Sequence, residues 1–292
     1  MLASLERLDR VVSLSVERGA SIKPPGDVIT VHSLNSHAGD VLRLAEEAHR
    51  HGHVSIGTAD LASLIDREHA EAIIKDTDEA LWEETEVGVR HQGRPTHNYL
   101  LLMAAGGAIA ATGFVTTPPT QTIAFISASV IAPGFEPLAK VPLGIVLGRW
   151  ITLLRGLRSA AIGYLLIAVV AGLSYLLLDA TEVTAPKSFL ANKEIDELSN
   201  PTPLDVLVSS AAAVAGVTMV ASRRFSLLAG PLMALALIPS AAMAGAAAAV
   251  GEGELIVQAL ERLGMDVALI FVLGLVVAGV KQLVVHRRRP LP

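Results

Sequence analysis

The chain has 292 residues, 52% of them hydrophobic and only 17% charged, with a mean hydropathy of +0.53; a soluble domain usually carries about 25% charged residues. Its net charge is −5, and it has no cysteine, which excludes disulfides, thiol catalysis and thiolate metal sites. The opening MLASLERLDR is charged and has no apolar core behind it, so no secretory signal is expected and Met1–His97 is expected in the cytoplasm.

Apolar residues concentrate after Asn98, which divides the chain into a polar third (1–90), a linker (91–97), an apolar region (98–285) and a basic tail (286–292). In the polar third, Val11–Glu17 alternates apolar and polar residues, and Asp27–Leu34 does so after the turn Pro24-Pro25-Gly26, as strands do. Asn35 or Ser36 is expected to cap a helix whose face carries Val41, Leu42, Leu44, Ala45 and Ala48, with Gly52 as its stop. His53–Gly57 reads as a third strand, and Arg67–Val89 as a long polar helix. The order predicts a small cytoplasmic α+β, ferredoxin-like domain. His49, His51 and His53 invite a metal reading; no carboxylate completes a site, so a solvated helix end is the expectation. No phosphate loop and no basic, aromatic nucleic-acid surface is present.

A membrane span needs about 20 mostly apolar residues. Six segments qualify: Asn98–Val115, Thr120–Gly148, Ser159–Leu178, Leu204–Val220, Phe225–Val250 and Met265–Val285. The predicted fold is a membrane all-α bundle of six transmembrane helices. Charge agrees with that count. Starting from the cytoplasm, the inner loops hold Arg149, Arg155 and Arg158, then Arg223 and Arg224, then Lys281 and Arg287–Arg289. The outer loops are acidic, and the asymmetry follows the positive-inside rule, with both termini cytoplasmic in a prokaryotic membrane. Leu255–Arg262 is amphipathic and reads either as an interfacial patch or as an extension of the last helix.

Thr120–Gly148 is the unusual span. Pro133, Gly134, Glu136, Pro137, Lys140 and Pro142 interrupt it, and proline removes a backbone donor. Ionisable groups at membrane depth cost about 2.5–3.5 kcal/mol each, and irregular backbone there survives only where protein buries it or water lines it. The span is therefore read as broken. A split after Ala180 gives two halves of three spans, each with a proline-broken middle span, the second through Pro231 and Pro239. This suggests an inverted 3+3 repeat with a midplane site. Small residues such as Gly106, Gly107, Gly163, Gly172 and Gly216 let helices approach closely and also suit a homo-oligomer.

The candidate pathway residues are Ser127, Ser129, Pro133, Gly134, Glu136, Lys140, Pro239 and Ser240. Glu136 and Lys140, four apart, face each other on a helix; Glu136 is the candidate proton or ion acceptor, while Lys140 has the competing reading of a side chain snorkelling to the interface. Ser240 stands out among the hydroxyls because Pro239 is expected to free a carbonyl one turn earlier. No hydrolase arrangement or HExxH motif occurs, so neither enzyme activity nor a cofactor is expected.

The segments DEALWEETEVGVR, IAPGFEP, SNPTPLDVLVSSAAAVAG and LALIPSAAMAG together resemble the family known as domain of unknown function 389, hydrophobic membrane proteins of bacteria and archaea. Ala132 and Glu136 stand where that family usually has a serine and a glycine. The resemblance implies an integral membrane protein with a cytoplasmic domain, and no established activity. The leading expectation is a transporter- or channel-like protein for a small solute or ion. The alternatives are a non-transporting membrane protein whose soluble domain senses a ligand or drives oligomerisation, and a lipid-binding protein.

Overall fold

The computed structural model describes the chain except for residues 9, 51, 60, 62, 77–80, 83, 86–93, 182–188, 191, 223–234 and 287–292. Met1–Thr85 and Glu86–Val285 belong to separate compact units.

In the N-terminal unit, α1 (Leu2–Leu5) precedes an antiparallel hairpin of β1 (Val11–Ile22) and β2 (Pro25–Ser33). The period-2 pattern sets the register: Val16 lies opposite Ile29, and Leu14 opposite Val31, so cross-strand pairs share a face. The strands turn at Lys23-Pro24, as the proline cluster predicts. Helix α2 (Asn35–His49) follows and buries Leu42. Its cap differs from expectation. Neither Asn35 nor Ser36 caps it through its side chain; instead Asp76 accepts from the Asn35 N–H at 2.6 Å and the Ser36 N–H at 3.1 Å. A carboxylate suits the positive end of a helix, and this one comes from 41 residues along the chain.

The expected third strand does not form. Residues 53–57 are irregular, and the sheet has two strands. Four residues between Gly52 and Gly57 can alternate without pairing, so alternation alone was too weak a signal. The single long helix expected over 67–89 does not form: α3 covers Ala70–Ile74, residues 67–69, 75, 76 and 81 are not helical, and 77–80, 83 and 86–89 lie outside the described residues. Trp82 is fully buried. His49 Nδ1 accepts from the Val54 N–H at 3.3 Å, which ties down the helix end; His51 lies outside the described residues.

The second unit is helical. It contains α4 (His97–Gly113), α5 (Thr120–Ile131), α6 (Phe135–Val146), α7 (Trp150–Ala180), α8 (Lys193–Ser199), α9 (Pro203–Ala221), α10 (Leu237–Val250) and α11 (Gly253–Lys281). Three of these, α7, α9 and α11, are long and apolar enough to cross a membrane, and the bent pair α5–α6 makes up to four. These apolar helices support a membrane location. At about 1.5 Å per residue, the 31 residues of α7 reach about 46 Å, more than the ~30 Å hydrocarbon core. The 14 residues of α10 reach only about 21 Å. The expected span Phe225–Val250 is thus described only over its second half, and its Pro231 lies outside the described residues. Leu255–Arg262 is a continuous part of α11, which settles its two readings in favour of a helix extension.

Helix α7 is the centre of the packing, with α4, α6 and α10 against it; α11 closes on α6, α9 and α10. Small residues make the closest approaches. A Cβ on Gly172 of α7 would fall 2.8 Å from the Gly245 carbonyl oxygen of α10, and a Cβ on Gly245 would overlap the Ala168 carbonyl. From Leu237 to Ala247 every residue of α10 is buried, as expected of a helix that is apolar all round.

Candidate functional site

The break in the second apolar segment has a local cause. A residue before proline avoids the helical region, and Ala132 ends α5 in an extended conformation at φ −80°, ψ 119°. Pro133 brings no N–H. The Gly134 N–H reaches back to the Ala132 carbonyl at 2.8 Å, and α6 starts at Phe135, bent 47° from α5. Pro137 falls in the first turn of α6, where its missing donor costs little. Glu136 also lies in that turn, as an acid favoured by the helix dipole.

Pro239 occupies the first turn of α10, which starts at Leu237 after non-helical Leu235 and Ala236, and the Ser240 N–H bonds normally to the Ala236 carbonyl at 2.9 Å; the part of this span before Leu235 lies outside the described residues. Ser240 therefore owes its place to helix initiation, and its Oγ is buried with no hydrogen-bond partner among the described residues.

The starts of α6 and α10 meet. A Cβ on Gly134 would lie 2.9 Å from Tyr164 Oη and 3.0 Å from Ile238 Cδ1. Glycine is needed at 134 for this approach, because Tyr164 of α7 donates to the Gly134 carbonyl at 3.1 Å. Tyr164 also lies within electrostatic reach of Tyr99, Glu136 and Asp266. Tyr99 in turn donates to the Ser159 carbonyl at 2.9 Å. Two tyrosines and two carboxylates thus gather around the junction of two helix starts.

Glu136 Oε2 is buried and has no hydrogen-bond partner among the described residues. Lys140 is 2% exposed and packs where a Cβ on Gly156 would touch its own Cβ at 2.7 Å. It does not snorkel into solvent: the absence of a side chain at Gly156 opens a slot between α6 and α7 that holds its stem. Arg94, Glu136 and Arg155 are the charged groups nearest in effect. Ser129 is buried and Ser127 half-buried on α5. Gln121 has a structural task. Its Nε2 donates to Asn192 Oδ1 at 2.7 Å, and Asn192 Nδ2 donates to the Phe114 carbonyl at 3.1 Å.

The sequence reading missed one pair. Asp266 of α11 is fully buried, and its Oδ2 accepts from the Ala236 N–H at 2.9 Å, at the start of α10. Arg262, 6% exposed, places Nε 3.8 Å from the same oxygen, too far for a hydrogen bond. Asp266 Oδ1, Arg262 Nε and Ser209 Oγ are all buried without a hydrogen-bond partner among the described residues, and Ser209 lies beside the Asp266 carboxylate. Each such group costs about 1–3 kcal/mol unless something meets it. A signal was available: Asp266 directly precedes an uncharged run from Val267 to Val280, and Arg262 stands one turn before it. Starting the span at Met265 hid the pair by leaving Arg262 in a loop. Asp205, read as a helix-start residue, holds that role in a capping box with Thr202.

Residues 129–272 match the family described as domain of unknown function (DUF389). The match runs from the end of α5 into α11 and covers both helix starts. No curated protein and no solved structure matches the chain.

Proposed function

From a chain that carries a DUF389 domain over residues 129–272, we propose an integral membrane protein that passes a small solute or ion along a path between the starts of α6 and α10. The observation that carries this reading is the meeting of those two starts at Gly134, Tyr164 and Ile238, with the buried, unpartnered oxygens of Glu136 and Ser240 close by in sequence. Ionisable groups at membrane depth are costly and mark pathways by default. In this reading Glu136 is the ion or proton acceptor, Lys140 its internal competitor, and Ser127, Ser129, Pro133 and Pro239 shape the path. The membrane unit has six spans in an inverted 3+3 arrangement, with both termini on the cytoplasmic face of a prokaryotic membrane. The protein works as a homo-oligomer without enzymatic chemistry or cofactor, and its N-terminal unit regulates or assembles it.

The test is solute and proton flux in liposomes containing the purified full chain. Glu136→Gln is expected to lower flux about tenfold or more, equivalent to about 1.4 kcal/mol on the barrier. Unchanged flux removes Glu136 from the path. A second reading is favoured by the close packing at the junction, where Tyr164 and Ile238 fill the space beside Gly134. In it the protein does not transport, the broken helices only shape the bundle, and the N-terminal unit senses a ligand or drives oligomerisation. Wild-type liposomes without flux of any probe would select it.

A further inference from the structure

We propose that Asp266, Arg262 and Ser209 form a second binding site, one that takes a small neutral solute bearing both a hydrogen-bond donor and an acceptor: the chemistry shared by water, a polyol and urea. The proposal rests on the pathway reading above and narrows its substrate class.

The unmet atoms define the occupant. Asp266 Oδ1 can only accept, Arg262 Nε–H can only donate, and the Ser209 hydroxyl can do either. A molecule that bridges them must give a hydrogen to the carboxylate and take one from the guanidinium. A bare cation would meet Arg262 and a bare anion would meet Asp266, while the pair together is neutral. Asp205 adds negative charge at the start of α9, but its Oδ2 is occupied by the Thr202 N–H at 2.8 Å and the Thr202 hydroxyl at 2.7 Å. The other Asp266 oxygen is fixed by the Ala236 N–H, so the site is held at the start of α10, one turn from the unpartnered Ser240. The pair stays open at 3.8 Å, with Arg262 Nε and Asp266 Oδ1 without a hydrogen-bond partner among the described residues.

The experiment uses the full chain in liposomes, with glycerol and urea influx followed by stopped-flow light scattering after an osmotic step, and potassium and chloride fluxes followed in parallel. Glycerol or urea is expected to enter faster than in protein-free liposomes. The double variant Arg262→Met with Asp266→Leu removes both charges together, a replacement that buried pairs commonly tolerate; it is expected to lose this influx severalfold while losing less thermal stability than Asp266→Ala alone. Ser209→Ala leaves both charges in place and is expected to reduce glycerol influx in the same direction, which keeps the test open if the double variant does not fold. Ion flux without neutral-solute flux overturns this proposal and leaves the pathway reading standing. Neutral-solute influx unaffected by these variants also overturns it, and no flux of any probe overturns both.

Discussion

The N-terminal unit and the membrane unit each cap a helix with an aspartate from far along the chain, in opposite surroundings. Asp76 accepts from the first N–H groups of α2 at a partly exposed site. Asp266 accepts from the Ala236 N–H at the start of α10 with no exposure at all and with a buried arginine as companion. Water can replace the first bond when it is lost, whereas losing the second strands the buried Arg262 beside it. The same polar contact is therefore a modest stabiliser in one unit and a demanding constraint in the other. A chain retains such a constraint at cost, which is why Asp266 rather than Asp76 points to function.

The comparison predicts a graded series, read as thermal unfolding of the purified full chain in detergent. Asp266→Ala strands Arg262 as an unpaired buried charge and is expected to cost about 3–5 kcal/mol; a loss no larger than that of Asp76→Ala would erase the distinction between the units. Gly245→Val pushes a side chain into the Ala168 carbonyl of α7 and is expected to cost about 1–3 kcal/mol through overpacking. Asp76→Ala removes an exposed cap and is expected to cost about 1 kcal/mol, with faster amide exchange confined to the first turn of α2. The smallest effect belongs to Asp66, whose carboxyl is held below its ordinary value by the hydrogen bond with His69 at 2.9 Å. A lowered acid stabilises the fold above its unfolded value, about 3.9, and that contribution fades as pH falls through the lower folded value. Carbon NMR of the Asp66 carboxyl should follow this titration, and His69→Ala should return it towards the ordinary value.

Local signals were readable in the sequence and long-range ones were not. Alternation in Val11–Glu17 and Asp27–Leu34 gave the hairpin because adjacent strands need only a turn between them. Pro133 gave the α5–α6 break because proline acts on its own neighbours. The cap of α2 escaped because Asp76 is 41 residues away, and the bond from Ala236 to Asp266 escaped because it spans 30 residues; the Arg262–Asp266 pair was local, and a span started at Met265 hid it. Pro239 stands in the first turn of α10, where its missing donor costs little, and the half of its expected span that precedes Leu235 lies outside the described residues. The approach of Gly134 to Ile238 joins two halves of the chain and had no sequence signal beyond the paired prolines.

The central claim is that the junction of α6 and α10 borders a path open to polar solutes, and the absence of native cysteine makes a direct measurement straightforward. Ser240→Cys, fully buried in the fold, and Leu173→Cys, at a position 62% exposed on the apolar face of α7, are labelled in membranes with a small, charged, membrane-impermeant thiol reagent. The account predicts that Ser240→Cys reacts faster than Leu173→Cys and is protected by the transported solute. Reaction at neither position, or at Ser240 only with a lipid-soluble reagent, would contradict it.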